Sequence, residues 1–297
     1  MISRDLAILI DSVMNILRKP VMQLSTTSLL ALLVPSLVMA QDDGDWQDWT
    51  LGSPFALSLD LFHASLDTSL RVDATDGTPG TRIDFEQNLG MSDTESLPIV
   101  NLGWRLAKKH RLTLGYYAIK RSGSAITADN IRIGDFEFDL NVPIASFLDL
   151  EIASASYSYS LLFNEKRELA VSAGLSLVDI QWGFSGDGVT GPIDTRFKLD
   201  VPVPSIGVSG SYAFGDKFFL QGNVGHISFD LALSDEVGLR GHVTTAAAGL
   251  YHRTFDQVRL GLAYLYFDFN IDWGSPSGFN ALQYTYQGPS LNVTMTF

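Results

Sequence analysis

From residue 54 to the carboxyl end, polar and apolar side chains alternate with a period of two, and no apolar run there is long enough to cross a bilayer as a helix. In the segment 152–163, Ala153, Ala155, Tyr157, Tyr159, Leu161 and Phe163 alternate with Ser154, Ser156, Ser158 and Ser160. Segment 203–214 repeats the pattern, with Ile206, Val208, Tyr212 and Phe214 against Ser205, Gly207, Ser209 and Ser211. Successive side chains of an extended strand point to opposite sides, so each segment carries one apolar and one polar face. The 46% hydrophobic content is therefore spread over strand faces rather than gathered into spans.

A soluble sandwich turns its apolar faces into a core, whereas a membrane barrel turns them out to lipid. The polar faces here are mostly Ser, Gly, Thr and Asn, which fill a narrow lumen, rather than the Lys and Glu of a solvated surface. The connections point the same way. Short polar turns near 107–110, 164–166, 214–217 and 253–257 alternate with longer connections at 65–96, 122–150, 183–202, 232–240 and 273–284. Tight turns at one end and long loops at the other are expected of a transmembrane barrel, and parity puts the short turns in the periplasm. The expected fold is an all-β antiparallel transmembrane barrel of ten strands. The count becomes twelve if a loop hairpin such as 67–86 or 131–142 enters the wall, and eight if the weak pair near 240 fails.

Residues 1–40 carry the basic pair Arg18-Lys19, an apolar run from Leu29 to Val38 and the small-residue site Val38-Met39-Ala40, the layout of a cleaved secretory signal peptide. The preceding stretch is long and holds Asp5 and Asp11, so Met14 is an alternative start. Residues 41–53 read as a short polar periplasmic lead and 54–297 as one barrel domain. An exported barrel is expected in the outer membrane. The formal charge of −13 makes nucleic acid a poor partner, and approach to anionic lipopolysaccharide would need divalent cations. No cysteine is present, so disulfides and thiolate metal sites are excluded. No cofactor or metal is expected.

Aromatic residues that suit a headgroup girdle are Trp104, Tyr116, Tyr117, Tyr212, Tyr251, Tyr264, Tyr266, Tyr284 and Tyr286. The final strand presents Leu291, Val293, Met295 and Phe297 on one face, and this ending resembles the signature of substrates of the barrel-assembly machinery. Together with Gly103-Trp104-Arg105-Leu106-Ala107-Lys108-Lys109-His110-Arg111-Leu112 and Gly115-Tyr116-Tyr117, it makes residues 54–297 similar to the Gram-negative outer-membrane β-barrel superfamily, within it a proteobacterial group of unassigned activity. The resemblance implies fold and location, with membrane lipid, lipopolysaccharide and the assembly machinery as partners.

One pair of residues suggests catalysis. His226 and Ser228 lie two apart on a strand and share the face of Phe218, Leu220 and Val224, as a base and a nucleophile must. Locally the pair resembles outer-membrane phospholipases and lipid A deacylases, which use a His-x-Ser pair near the outer rim. Those families follow the serine with Asn and supply an Asn or Glu about twelve positions on; here Phe229 and Asp230 follow, Arg240 stands at that distance, and Glu236 and His242 are the nearest substitutes. An acid protease would need facing Asp/Asp and Asp/His pairs at the mouth, for which Asp179, Asp230, Asp268 and Asp272 are candidates. Asp73, Asp76 and Gly77 read as a plain turn. Asp60, Asn101, Arg105, Arg111, Arg121 and Arg259 are expected in the lumen, pairing into a plug or lining a narrow path. The functional expectation is a structural barrel or narrow porin-like channel for small solutes; the alternative is a lipid hydrolase using Ser228 and His226.

Overall fold

The computed structural model describes residues 51–126, 130–138, 141–232, 238–275 and 278–297. The expected signal peptide and most of the polar lead lie outside them. The described chain forms thirteen strands, β1 Phe55–Val72, β2 Ile83–Asp84, β3 Thr94–Ala107, β4 His110–Ile126, β5 Ile131–Ile133, β6 Phe136–Phe138, β7 Pro143–Phe163, β8 Arg167–Gly188, β9 Gly191–Phe214, β10 Phe218–Ala232, β11 Gly238–Phe255, β12 Val258–Ser275 and β13 Gly278–Thr296. Ten of them close an antiparallel ring in the order β1-β3-β4-β7-β8-β9-β10-β11-β12-β13, with β13 pairing back onto β1. The ring is sealed where Phe297 and Phe55 exchange backbone hydrogen bonds of 2.9 and 3.2 Å, so the terminal Leu291, Val293, Met295 and Phe297 lie on the outer wall of the closing strand. The alternatives of eight and twelve strands are set aside, because β5 and β6 form a small hairpin over the mouth rather than part of the wall.

The connections expected to be long are largely strand. β8 and β9 run 22 and 24 residues and meet across a two-residue turn, so the region 183–202 is a paired hairpin. At roughly 3.3 Å per residue these strands are far longer than a tilted membrane crossing needs.

The strands exchange their faces partway along. On β8 the outward residues Leu169, Val171, Leu175 and Leu177 give way to Asp179, Gln181 and Asp187, while the inward residues Ser172, Gly174 and Ser176 give way to Val178, Ile180, Trp182 and Phe184. β1 does the same: Phe55, Leu57, Leu59 and Leu61 face out below His63, Ser65 and Asp67, and inside, Ser58 and Asp60 lie below Phe62, Leu66 and Leu70. The half nearer the short turns thus has an apolar wall and a polar interior. The half nearer the long hairpins has a polar wall and an apolar core built from Phe62, Leu70, Phe85, Leu148, Trp182 and Ile271 among others.

This inversion corrects the aromatic assignment. Trp104, Tyr116, Tyr212, Tyr264 and Tyr266 face out, but Tyr117, Tyr251, Tyr284 and Tyr286 are on the inner face, Tyr117 hydrogen-bonded to Tyr286. Adjacent residues such as Tyr116 and Tyr117 cannot both join one girdle. At the end of the expected polar lead, Leu51 is buried against Phe163, Ala213 and Phe219 at the short-turn end.

The hairpin end is stoppered. Arg121 points inward from β4, donates to Thr68 Oγ1 of β1 at 2.9 Å, and holds the 85–93 segment through the Ser92 carbonyl at 2.6 Å and the Glu86 carboxylate. The β5–β6 hairpin lies above it, with Ile131, Ile133 and Phe138 buried. The face assignment makes a direct prediction. Val208, outward on β9, changed to Arg should cost roughly 2–4 kcal/mol in reversible unfolding from lipid vesicles, and the inward neighbour Ser209→Arg clearly less. Equal penalties would mean that the face assignment is wrong.

Candidate functional site

Two regions hold the polar residues singled out in the sequence, one inside the barrel and one on its wall. Inside the short-turn half, a cavity of about 390 Å³ is lined by Asp60, Asn101, Arg105, Arg111 and Arg259 among others. Glu168, which the sequence did not point to, organises it. Its carboxylate accepts two hydrogen bonds of 2.8 Å from Arg105, one of 2.6 Å from Ser160 Oγ and one of 3.3 Å from Arg111. Arg105 also sits 4.2 Å from the Phe163 ring, and Arg259 4.8 Å from the Phe219 ring. Asp60 accepts from Asn292 at 2.8 Å and from Ser290 at 3.3 Å. Five of the six expected lumen residues thus gather in this cup, while Arg121 serves the stopper above it.

A buried ion pair is expensive to break and cheap to replace whole, because removing one partner leaves a desolvated charge. Glu168→Leu should therefore destabilise the barrel by about 3–5 kcal/mol, and adding Arg105→Met should recover much of that loss, as read from urea unfolding in vesicles. A double variant no more stable than the single one would contradict the pairing.

On the wall, β10 carries Phe218, Leu220, Gly222 and Val224 outward and then turns polar at His226, Ser228 and Asp230. The strand places imidazole and hydroxyl on the same side, and His226 Nε2 lies 3.0 Å from Ser228 Oγ. His226 Nδ1 lies 2.9 Å from Thr244 Oγ1 on β11, its cross-strand partner. The hydroxyl of Thr244 can accept a hydrogen bond from Nδ1–H, which leaves Nε2 as the acceptor for the serine hydroxyl. Next along the wall, the His242 ring stacks 6.1 Å from His226 and is held by Asp268 at 3.0 Å, whose other oxygen accepts from Thr285 at 2.9 Å.

The resemblance asks for an Asn or Glu about twelve residues beyond the serine, where Arg240 stands, with Glu236 and His242 as the nearest substitutes. The residue bonded to His226 is instead Thr244, sixteen positions beyond Ser228, while Arg240 pairs with Asp272. Glu236 lies outside the described residues. Strand parity allowed the pair to be read from sequence; the partner depends on the β10–β11 register, set by a hairpin with weak alternation.

The protease candidates do not converge. Asp179, Asp230, Asp268 and Asp272 all sit on outward positions of their strands, Asp179 with Lys198 at 2.8 Å and Asp272 with Arg240 at 3.3 Å, and the mouth inside them is apolar. Asp73 and Asp76 serve their turn: Asp73 accepts from Gly80 N at 2.9 Å and Arg71 at 2.8 Å, and Asp76 from Thr78 N at 2.8 Å. Carboxylate oxygens of Asp67, Asp84 and Glu86 lie within 4.8 Å of one another, but Glu86 is already bound by Thr68 N at 2.9 Å and by Arg121.

No family model and no curated protein matches the chain. Among solved structures, the outer membrane protease OmpT of Escherichia coli is similar over 82% of this chain and 96% of its own, at 12% identity and a TM-score of 0.55. The toluene transporter TodX of Pseudomonas putida covers 82% and 89% at 9% identity and a TM-score of 0.34, and the translocator domain of NalP from Neisseria meningitidis 92% and 97% at 13% and 0.39. The likeness to OmpT supports the fold of an outer-membrane β-barrel.

Proposed function

We propose that this protein is an outer-membrane lipid acyl hydrolase whose chemistry takes place on the outer wall of the barrel rather than through its interior. The observation that carries the reading is the Ser228–His226–Thr244 chain, outward-facing at the first polar positions above the apolar band of β10. In an outer membrane with the short turns in the periplasm, that level is the headgroup region of the outer leaflet, where the ester bonds of phospholipid or lipid A lie. Lipid and lipopolysaccharide are then the partners of this wall, and the assembly machinery the partner of the β13 ending.

The arrangement accommodates ordinary acyl transfer. Ser228 Oγ attacks the ester carbonyl as its proton passes to His226 Nε2, and the tetrahedral intermediate collapses with the alcohol leaving and taking that proton. Water then cleaves the acyl-serine by the reverse proton path, releasing the fatty acid. Thr244 orients the imidazole without contributing a carboxylate charge, so its role is positional. In detergent–phospholipid micelles, Ser228→Ala should lower fatty acid release by roughly three orders of magnitude or more, His226→Asn similarly, and Thr244→Val by about tenfold to a hundredfold. Activity that survives Ser228→Ala would end this reading.

The second reading, a structural barrel or narrow channel, is favoured by the arginine-lined cup. The packed core and the segment pinned by Arg121 oppose a straight path through the barrel. Planar bilayers containing the refolded protein should therefore show no sustained single-channel conductance. Stable ion-selective steps would favour the channel instead.

A further inference from the structure

The barrel wall parts at two places in its hairpin half. Between β3 and β4 the ladder ends at Ile99–Tyr117, and the 85–93 segment fills the space above, with Arg121 bonded to Ser92 O and the Leu89–Met91 backbone packed against Gly123. Between β9 and β10 the ladder ends at Gly207–Gly225. Above that rung β9 continues on β8 to Gly191, and β10 continues on β11 to Ala232, so the two hairpins diverge. Pro202 and Pro204 account for part of this. Neither has an N–H to donate, and residues two apart direct their backbone groups to the same neighbour, so β9 lacks two donors on one side while its ladder to β8 runs unbroken through both. The last closed rung is tight: a Cβ on Gly207 would lie 2.9 Å from the Val224 carbonyl, and one on Gly225 3.0 Å from that of Ile206.

A cavity of about 150 Å³ occupies the gap. β10 lines it from Asn223 to Ile227, with His226 among them; Ile206, Val208 and Val224 supply apolar lining on the outer face and Ile227 and Val243 on the inner, where Ser156, Ser172 and Thr245 also add hydroxyls. The two lips differ in depth. β10 turns polar at His226, but the outward residues of β9 beside it, Ile206, Pro204 and Pro202, still belong to the apolar band, which ends at Asp200. The opening therefore faces lipid on one side and the Ser228–His226 pair on the other.

We infer that this gap is the subsite for the acyl chain of the ester that Ser228 attacks, an inference that rests on the hydrolase reading of that residue. The volume is roughly five times the ~30 Å³ share of one water molecule, enough for the methylenes next to the carbonyl, with the rest of the chain lying along the lipid face of β9. Seating those methylenes between Ile206 and Ile227 would hold the carbonyl beside Ser228 Oγ and select long-chain esters over short ones.

The absence of cysteine allows a test on the folded protein. Ser205, inward on β9 and lining the cavity, is changed to Cys, and the barrel is folded and then labelled with benzyl methanethiosulfonate. The adduct should lower release from a palmitoyl phospholipid by about tenfold or more while leaving hydrolysis of p-nitrophenyl acetate within about twofold, and reductant should restore the loss. If both substrates fall together, or neither falls, the gap is not an acyl subsite. If unlabelled protein cleaves neither substrate, the hydrolase reading fails, and binding then decides the subsite separately. For that measurement, bimane on Ser205→Cys in a Ser228→Ala background is compared with bimane on Ser209→Cys, which lies behind the closed wall, in vesicles containing phospholipid spin-labelled at an upper chain carbon. Quenching at 205 well above that at 209 shows a chain in the gap; equal quenching, or none, overturns it.

Discussion

The structure is governed by what lies outside each stretch of strand. A side chain on a pleated wall has two destinations, and the apolar one must be sheltered from water. Where lipid covers the wall, apolar residues face out and the interior takes the polar ones. Where water covers it, the same strand puts Val178, Ile180, Trp182 and Phe184 inside and Asp179, Gln181 and Asp187 outside. The exchange takes place without a break in the β7–β8 ladder, because only residue choice changes while the period of two continues. The molecule is thus a membrane barrel continued by a soluble one, and the second closes the first.

That arrangement determines where chemistry can occur. In the polar cup, Glu168 is buried and joins Arg105 and the half-exposed Arg111 in a single network of charge-assisted hydrogen bonds. In the apolar core above, a reactive polar pair would be buried at a cost. The wall at the exchange level is a surface where a polar pair can be solvated and still touch lipid, and His226 and Ser228 stand there. The divergence of the β8–β9 and β10–β11 hairpins just above Gly207 and Gly225 places an opening beside them.

Much of this was legible in the sequence because strand parity is local. The ten strands, the short turns, the outward face of Ile206 and Val208 and the shared face of His226 and Ser228 all follow from counting by twos. Contacts that depend on register between strands did not. Thr244 beside His226 and Glu168 beside Arg105 join residues whose separation in sequence gives no hint of contact. Projecting hairpins are expected at 67–86 and 131–142, but the extent of strand in 183–202 is hidden because the alternation reverses sense, and Val178 and Asp179 mark the exit of β8 from the apolar band. The girdle fails at Tyr117, Tyr251, Tyr284 and Tyr286 for a related reason: strand parity turns these rings to the inner face, where they pack within the barrel.

The face exchange can be measured on β8 alone. Single cysteines at Leu169, Val171, Leu175, Leu177, Asp179 and Gln181, introduced into the cysteine-free chain and reconstituted in phospholipid vesicles, would be challenged from the aqueous side with a membrane-impermeant maleimide. The account predicts protection through 177 and ready labelling at 179 and 181. Labelling that is uniform over these outward positions, or protection that continues through 181, would contradict a wall that leaves lipid between Leu177 and Asp179.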